Sequence, residues 1–411
     1  MERLTFLVFL SSIILLTLGA AISFKKTKAA LLICLAALLI IPASVIIQQI
    51  SNPYVFFVVI IGILNLISLE ILKSSEIKGV DYALVALMAI ATLFVIYTND
   101  LVLVLATFVL VSVPTYVLVM ISDNKAKVDT GIKYITFMVI ATVLFLIGAV
   151  LLIYTNSNPI GNLYIIGYIM LILGLGLEVG CAPLHEWVPD VFTSADPIPI
   201  SIIASLAKIV PFIVAYKILI TLNTLIYSIA IFIALIATLS MFIGNIGALT
   251  SKELSRVLGY STVANMGYIM ATLVVFVDVK YIYIALTGVL LQLFVNSFGK
   301  IGFFTAIKEG GASKPLMYTL ALSFIGLPPL MGFWSKFFIL SSLVGVGYIW
   351  LAVILVINAA ISVPYYLRIA RELSLPPKVS LANFIALIAV LITLITILPP
   401  NWFMEAMKTL I

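Results

Sequence analysis

The sequence predicts an all-α polytopic membrane protein with about fourteen transmembrane helices. Three observations predict this fold: hydrophobic residues make up 64% of the 411 residues, charged residues make up only 9%, and the mean hydropathy is +1.31. A soluble domain carries roughly a quarter charged residues, so this chain has too few polar side chains to cover a globule in water. The composition therefore excludes soluble, nucleic-acid-binding and disordered proteins.

Fourteen apolar segments follow one another along the chain. A span needs about 20 mostly apolar residues, and a backbone in lipid must satisfy its own hydrogen bonds, which makes each span a helix. We expect the first segment to be a span and not a signal peptide, because it lacks a basic n-region and further apolar segments follow it. The predicted spans are 4–24, 29–50, 53–72, 80–98, 101–121, 131–155, 161–192, 197–221, 225–250, 257–277, 280–306, 315–345, 347–370 and 381–403.

Basic residues gather in alternate loops. Fifteen of the 22 lysines and arginines follow spans 1, 3, 5, 9, 11 and 13, whereas the opposite side holds only Arg3, Lys217, Lys280 and Lys408. Positively charged loops stay in the cytoplasm. We therefore expect a multi-pass protein of the cell (plasma) membrane with both termini on the extracytoplasmic face, and the net charge of +6 fits that asymmetry.

Spans 7 and 12 are longer than a bilayer requires at about 1.5 Å per residue. Each contains a helix-breaking stretch, Gly-Cys-Ala-Pro-Leu-His-Glu-Trp from Gly180 and Gly-Leu-Pro-Pro-Leu-Met-Gly-Phe from Gly326. At an offset of 146 residues the two glycines align, and Pro183 aligns with Pro329 beside Pro328. The sequence therefore predicts one discontinuous helix in each of these spans.

The same offset relates spans 4–8 to spans 9–13, which predicts two copies of a five-helix unit. Because five is odd, the second copy is inverted in the membrane, as in many ion-coupled transporters. The alternative is that proline and glycine are simply common in membrane helices. We expect an N-terminal three-helix segment (1–79), two five-helix repeats (80–222 and 223–372) and a C-terminal helix (373–411).

Four ionisable residues lie deep inside the spans: Glu178, Lys208, Lys300 and Lys336. Each costs roughly 2.5–3.5 kcal/mol at a helix centre, so we expect them to face protein or water and to transfer protons. A structural ion pair, for instance Glu178 with Lys208, is the open alternative. The polar residues that could bridge the charges are His185, Tyr260, Asn265, Gln292, Asn296 and Ser335. Individually, such residues more often form helix–helix hydrogen bonds.

The sequence predicts no metal, haem or iron–sulfur cluster in this chain, and no catalytic residue. It contains one histidine and two cysteines, Cys34 and Cys181, which form no CxxC pair. These residues are too few for a cluster or a histidine-rich site. We also expect no nucleotide-binding loop and no nucleic-acid partner.

Several motifs resemble those of one known family. They are Ala-Pro-Leu-His-Glu-Trp-Val-Pro-Asp at 182–190, Pro-Ile-Pro-Ile-Ser at 197–201, Lys-Glu-Leu-Ser-Arg-Val-Leu-Gly-Tyr at 252–260, Gly-Leu-Pro-Pro-Leu-Met-Gly-Phe-Trp-Ser-Lys at 326–336 and Pro-Tyr-Tyr-Leu-Arg at 364–368. The chain resembles the antiporter-like membrane subunits of complex I-type oxidoreductases, the N-type above all, and those of multi-subunit sodium/proton antiporters. The resemblance runs from about span 4 to span 13.

This resemblance implies a proton path with a glutamate on span 5, lysines on spans 7 and 8, and a lysine or glutamate on span 12. Lys208 and Lys336 match the last two positions. Val109 stands where the glutamate is expected, and Glu178 stands where the span 7 lysine is expected. Two readings stay open: either Glu178 pairs with Lys208 in a rewired path, or the subunit has lost pumping and kept a structural role.

The resemblance also implies a partnership. We expect a proton-translocating subunit of a complex I-like membrane oxidoreductase (NADH/quinone, deazaflavin-dependent or hydrogenase-type), in which quinone, iron–sulfur clusters and flavin belong to partner subunits. A subunit of a sodium/proton antiporter and a non-pumping structural subunit are the alternatives. Only eight residues follow span 14, so we do not expect the long amphipathic C-terminal helix of the L-type subunits.

Overall fold

Helices account for nearly all of the computed structural model, which describes residues 2–47, 53–72, 79–123, 125–155, 161–222, 225–395 and 401–408. The first nine helices are α1 (Glu2–Ser23), α2 (Thr27–Ile47), α3 (Pro53–Ser68), α4 (Val80–Tyr97), α5 (Leu101–Leu118), α6 (Val128–Thr155), α7 (Asn162–Val179), α8 (Trp187–Ser194) and α9 (Pro197–Ser205). The next nine are α10 (Ile209–Leu222), α11 (Tyr227–Thr250), α12 (Leu254–Ala271), α13 (Ile282–Glu309), α14 (Lys314–Ile325), α15 (Met331–Gly345), α16 (Ile349–Glu372), α17 (Leu381–Ile395) and α18 (Asn401–Lys408).

Short elements connect these helices. The 3₁₀ turns are Leu69–Ile71, Leu206–Lys208, Thr272–Val277 and Val279–Tyr281. Two short strands, β1 (Ala312–Ser313) and β2 (Ser374–Leu375), pair in parallel. This pairing ties the loop after α13 to the loop after α16, and the sequence did not predict it.

The helix lengths match the predicted spans. Within the described ranges, ten helices are long and apolar enough to cross a membrane, and they correspond to spans 3–11 and 13. The shorter apolar helices Leu7–Ser23, Thr27–Ala43, Met331–Gly345 and Leu381–Ile395 correspond to spans 1, 2, 12 and 14. The predicted all-α polytopic fold is therefore confirmed.

Both predicted discontinuous helices are present. Span 7 is α7 followed by a loop and the short α8, and span 12 is α14 followed by a loop and α15. Gly180 (φ 84°, ψ 43°) and Gly326 (φ 90°, ψ 43°) end the first halves in the same left-handed conformation, which closes a helix without the strain that a Cβ would bring. Pro183, Pro328 and Pro329 lie in the two loops, and the peptide bonds before Pro183 and Pro329 are cis.

Span 8 departs from the prediction of one continuous helix over 197–221. It consists of α9, a 3₁₀ turn at Leu206–Lys208 and α10, and Ser205 has φ −105° and ψ −80°, outside the helical region. The carbonyl groups at this point lose their regular helical partners. Lys208 is the last residue of the 3₁₀ turn at this kink.

An aromatic cluster joins the beginning, the middle and the end of the chain. The Tyr54 hydroxyl of α3 donates to the Phe403 carbonyl oxygen of α18 at 2.9 Å. The Phe57 ring centroid lies 5.1 Å from that of Phe294 in α13 and 6.0 Å from that of Phe403. The predicted span 381–403 is thus divided between α17 and α18, and its residues 396–400 lie outside the described ranges.

Candidate functional site

The four ionisable residues predicted inside the spans are all buried in protein. The exposed fractions are 5% for Glu178, 2% for Lys208, 0% for Lys300 and 7% for Lys336. They lie at the end of α7, in the 3₁₀ turn of span 8, on α13 and on α15. None of them faces the lipid, as the cost of a charge in hydrocarbon requires.

Lys208 caps the broken end of α7. Its Nζ donates to the backbone carbonyl oxygen of Glu178 at 2.8 Å and lies 4.5 Å from the centroid of the Trp187 ring. The carbonyl groups in the last turn of a helix have no partner within the helix and carry its negative dipole end. A cation over an aromatic face gains further attraction, so this pocket stabilises the ammonium.

Lys336 has the same arrangement at the second break. Its Nζ donates to the carbonyl oxygens of Phe324 and Ile325, both at 2.8 Å, and lies 5.5 Å from the centroid of the Tyr268 ring. Phe324 precedes Gly326 by two residues, just as Glu178 precedes Gly180. Both breaks therefore hold a buried ammonium against the same carbonyl of the first half-helix.

The Glu178 carboxylate makes its hydrogen bond with α5. Its Oε1 accepts a hydrogen bond from Ser112 Oγ of α5 at 3.1 Å, and no donor in the described part of the chain reaches Oε2. No ion pair joins Glu178 to Lys208 among the ion pairs of the described residues. Val109, three residues before Ser112, packs as an apolar side chain against the core.

Lys300 lies between α13 and α12. Its Nζ donates to the Leu258 carbonyl oxygen and to Ser261 Oγ. The Lys300 ammonium lies 5.6 Å from the centroid of the Phe324 ring. The backbone carbonyl oxygen of Phe324 accepts a hydrogen bond from Lys336. Lys300 thus contacts a side chain at the end of α14, beside the second break.

A chain of hydrogen bonds runs from the Lys300 pocket to the neighbour of Lys336. Asn265 Nδ2 donates to the Ser261 carbonyl oxygen at 2.6 Å, and Gln292 Nε2 donates to Asn265 Oδ1 at 2.6 Å. Ser335 Oγ then donates to Gln292 Oε1 at 2.5 Å. The structure therefore brings three of the predicted bridging residues into one continuous network.

Three side chains from other helices hold the kink in span 8. Asn296 Nδ2 donates to the Ala204 carbonyl oxygen at 2.8 Å, and Ser297 Oγ donates to the Ser205 carbonyl oxygen at 3.3 Å. Asn65 Nδ2 of α3 donates to Ser205 Oγ at 2.9 Å. The contacts of Asn296 and Ser297 supply backbone carbonyl oxygens at the kink with donors, and that of Asn65 holds the Ser205 side chain.

Asn296 lies between two of the lysines. It precedes Lys300 by four residues, which is one turn on the same face of α13, and it contacts a residue four positions before Lys208. Asn296 Oδ1 and Asn65 Oδ1 are buried, and no donor from the described ranges reaches them. Two buried acceptors without a donor among the described residues thus lie beside the kink of span 8.

His185 and Tyr260 lie outside this network. His185 Nδ1 is 3.3 Å from the Pro183 carbonyl oxygen, and the His185 ring centroid is 6.2 Å from that of Tyr260. The Tyr260 ring also lies 5.7 Å from the Arg256 guanidinium. Both rings are only partly buried, and they form a group of their own beside the first break.

Charged residues join the helix ends on the side of the basic loops. Asp190 of α8 binds Lys133 of α6 at 2.5 Å and Arg256 of α12 at 3.0 Å. Lys308 similarly binds Asp123 at 2.6 Å and Asp196 at 2.5 Å. The hydrogen bond from Lys133, followed by that from Arg256, holds the pKa of the Asp190 carboxyl below its usual value.

Asn65 and Ser112 were not predicted from the sequence as site residues. Asn65 interrupts an apolar helix with an amide, and burying an amide without a partner is costly, which was the available signal. Its contact with Ser205 spans 140 positions and could not be read from spacing.

In the described part of the chain, no group of three or more His, Cys, Asp or Glu residues could hold a metal ion.

Comparison with known proteins gives a consistent result. The model of a family described as NADH:quinone oxidoreductase/Mrp antiporter, transmembrane, matches residues 98–362. The chain is 28% identical over 326 residues to NADH-quinone oxidoreductase subunit N of Campylobacter hominis, covering 70% of this chain and 66% of that protein. It is 28% identical over 369 residues to F(420)H(2) dehydrogenase subunit N of Methanosarcina mazei, covering 78% and 73%.

Solved structures share the fold. A chain of respiratory complex I from Thermus thermophilus superposes with a TM-score of 0.77 at 21% identity, covering 98% of this chain and 99% of that chain. A chain of the Mrp complex from Dietzia sp. superposes with a TM-score of 0.85 at 16% identity, covering 99% and 97%. A chain of an archaeal membrane-bound sulfane sulfur reductase gives 0.82 at 16% identity, covering 99% and 96%.

Proposed function

The chain belongs to the NADH:quinone oxidoreductase/Mrp antiporter transmembrane family, and from that membership we propose that it is a proton-translocating subunit of a complex I-like membrane oxidoreductase. Its relatives include subunit N of an NADH-quinone oxidoreductase and of an F(420)H(2) dehydrogenase. The proposed partners are the other membrane subunits of such a complex. Quinone, flavin and iron–sulfur clusters would belong to those partners.

One observation carries the proposal: the hydrogen-bonded network between the lysine pockets. It starts at Lys300, passes Asn265 and Gln292, and ends at Ser335 beside Lys336. A network of this length buried in a membrane protein is costly unless its members are satisfied. Intramembrane chains of ionisable and polar residues mark proton relays in pumps and transporters.

The proposed transfer moves a proton between amines. An ammonium that releases its proton becomes a neutral amine, and the next amine accepts a proton delivered through hydroxyl groups and water. The carbonyl oxygens at the ends of α7 and α14 stabilise the charged forms of Lys208 and Lys336. Any movement of these half-helices would change that stabilisation and thereby the direction of transfer.

We further propose that the complex lies in the cell membrane with both termini of this chain outside. The support is the charge of the loops, since the basic residues gather at the ends that the ion pairs of Asp190 and Lys308 join. With this orientation, α8 and the loops around Lys125 and Lys252 face the cytoplasm. The outer face then carries the loop between α4 and α5.

A sodium/proton antiporter subunit is the second candidate, favoured by the TM-score of 0.85 to a chain of the Mrp complex. A non-pumping structural subunit is the third, favoured by the apolar Val109 in the place of the family's span 5 glutamate. The subunits that co-purify with this chain separate the first two candidates. Cluster-bearing partners support the oxidoreductase, and small antiporter subunits support the antiporter.

Replacing lysines tests conduction directly. Lys208→Met and Lys336→Met remove the titrating groups while keeping similar side-chain length, so we expect proton pumping by the native complex in vesicles to fall at least about tenfold. Lys217→Met is the matched control, because Lys217 lies on the same span as Lys208 but donates to carbonyl oxygens of Ile96 and Thr98 at the far end of α4. Unchanged pumping in both test variants would overturn both conducting candidates.

A further inference from the structure

The two lysines at the helix breaks reach their acceptors from different elements. Lys336 follows Gly326 by ten residues and lies on the second half of its own discontinuous helix, α15. Lys208 follows Gly180 by 28 residues and comes from the next span. Its Nζ nevertheless lies 2.8 Å from the equivalent carbonyl oxygen, that of Glu178. The position of the Lys208 ammonium therefore depends on the path of span 8 through the bundle.

The 3₁₀ turn of span 8 determines the direction of the Lys208 side chain. A 3₁₀ helix turns by about 120° and rises by about 2.0 Å per residue, against about 100° and 1.5 Å in an α-helix. Over the three residues Leu206–Lys208, the difference amounts to about 60° of rotation and about 1.5 Å of translation. A regular helix continuing from α9 would thus turn Lys208 away from the Trp187 ring, whose centroid lies 4.5 Å from Nζ.

Asn65 of α3 contacts the residue that immediately precedes this turn. Its Nδ2 donates to Ser205 Oγ at 2.9 Å and to the Ile61 carbonyl oxygen of its own helix at 3.0 Å. Ser205 Oγ in turn donates to the Ser201 carbonyl oxygen at 2.6 Å, and a hydroxyl bonded back to the preceding turn bends a helix. Asn65 and Ser205 are both 0% exposed. Asn65 therefore holds the hydroxyl group at the bend from outside span 8.

The helix that carries Asn65 is itself packed against α13. The Phe57 ring centroid of α3 lies 5.1 Å from that of Phe294 in α13, and α13 supplies the other two donors to the kink. However, α3 lies in the predicted N-terminal segment, outside both predicted five-helix units and outside residues 98–362, which the family model matches. A residue from outside the repeated units thus contacts the kink that carries Lys208.

We infer that Asn65 is a positioning residue of the proposed proton path. Through Ser205 it holds the kink that places the Lys208 ammonium against the end of α7 and the Trp187 ring. The inference rests on the proposed function for its effect on proton flux, whereas the position of Lys208 can be tested without partner subunits. The alternative is an ordinary helix–helix hydrogen bond, which would stabilise the bundle without setting the position of Lys208.

The fluorescence of Trp187 tests the position of Lys208, because a cation at an aromatic face interacts with the ring electrostatically. In the full-length chain in lipid, phenylalanine replaces the other three tryptophans, Trp334, Trp350 and Trp402. Lys208→Met then gives the emission maximum of Trp187 without the ammonium. We expect Asn65→Leu to shift the maximum toward that of Lys208→Met. If Lys208→Met leaves the emission unchanged, the ammonium does not lie at the ring and the inference is wrong.

Ser205→Ala removes the same hydrogen bond from the other side and leaves Asn65 bonded to Ile61, so it decides the question if Asn65→Leu fails to fold. We expect the same shift in emission. Thr92→Val is the matched control, since this buried threonine of α4 donates to the Met88 carbonyl oxygen of its own helix at 2.7 Å, and it should leave the emission unchanged. Lower melting temperatures with unchanged emission in Asn65→Leu and Ser205→Ala would overturn the inference. A shift in Thr92→Val would overturn it as well, because the effect would not be specific to the kink.

Proton flux through the native complex separates this inference from the proposed function. A misplacement of about 1 Å can cost about 100-fold in rate, so we expect Asn65→Leu and Ser205→Ala to lower flux at least about tenfold and Thr92→Val to keep it. If Lys208→Met loses flux while Asn65→Leu and Ser205→Ala keep it, the positioning role of Asn65 is wrong and the proposed function stands. If Lys208→Met and Lys336→Met both keep wild-type flux, the proposed function itself is wrong.

Discussion

At the scale of single residues, the buried lysines form no ion pair with a carboxylate of the described residues. Lys208 and Lys336 donate to backbone carbonyl oxygens, and Lys300 donates to a carbonyl oxygen and a hydroxyl. Carbonyl dipoles attract an ammonium less strongly than a full negative charge does. The ammonium therefore loses its proton more readily than it would in a buried ion pair. A group that transfers protons must be able to release its own.

Gly332 permits the second break to close tightly. A Cβ at this position would lie 1.7 Å from the Ser323 carbonyl oxygen of α14. We expect Gly332→Ala to lower the free energy of unfolding by about 1–3 kcal/mol, because backbone atoms must move to relieve the clash. Thermal unfolding of the purified chain in detergent measures the change.

Gly176→Ala provides the control for this prediction. Its added Cβ would meet Cys181 at 3.8 Å, an ordinary van der Waals distance, and alanine favours a helix over glycine by about 1 kcal/mol. The melting temperature should stay the same or rise. Equal losses in both variants would contradict the claim that the close approach of α14 and α15 distinguishes Gly332.

At the scale of helices, the two breaks and the kink differ in how well the sequence predicts them. Gly180 and Gly326 with their following prolines signal the breaks, because these residues end helices by their own backbone preferences. The kink at Ser205 contains neither residue type. Pro211, four residues after Ala207, cannot donate to the Ala207 carbonyl oxygen and signals a disturbed helix here. The donors from α3 and α13 that hold the kink are remote in sequence, so only the structure reveals them.

Asn296→Leu tests that dependence. The variant leaves the Ala204 carbonyl oxygen without its side-chain donor, and an unsatisfied buried acceptor costs about 1–3 kcal/mol. Asn65→Leu removes the donor to Ser205. We expect both to reduce the free energy of unfolding, as measured by chemical denaturation in detergent.

The double variant shows whether the two amides support one kink. Asn65 and Asn296 contact adjacent residues of span 8, so their effects should be coupled by about 0.5 kcal/mol or more. Strictly additive effects would mean that the two side chains act independently. In that case the two amides would not stabilise a common kink.

At the scale of the whole molecule, Asp190 links the two predicted five-helix units. It binds Lys133 from the first unit and Arg256 from the second. Lys133 and Arg256 were predicted only as basic loop residues that set the orientation. Their pairing was not predictable, because it requires α6, α8 and α12 to meet at one end of the bundle.

The stability that the Asp190 ion pairs contribute should depend on pH. The pKa of Asp190 is lowered in the folded chain, so the carboxylate adds stability above its ordinary pKa of about 3.9, and this stability is lost as the pH falls through the lowered value. We expect Asp190→Asn to melt earlier than the wild type at about pH 7 and to approach it at about pH 3. Glu253→Gln, an exposed neighbour without a side-chain cap, should change little at either pH, and a constant Asp190→Asn difference would contradict the linkage.

Orientation is the second prediction at this scale. A cysteine introduced by Lys125→Cys should resist an impermeant thiol reagent on intact cells and react after permeabilisation. Lys280→Cys, at an exposed position on the opposite face, should react on intact cells. The native Cys34 and Cys181 are buried and give little background, and the reverse labelling pattern would invert the topology.

The contact between Tyr54 and Phe403 has a consequence for biogenesis. These residues are separated by 349 positions, so this hydrogen bond cannot form until the ribosome has made nearly the whole chain. During synthesis the rings of Tyr54 and Phe57 must rest against lipid or a translocon surface. The contact between α3 and α18 therefore forms as one of the last events of assembly.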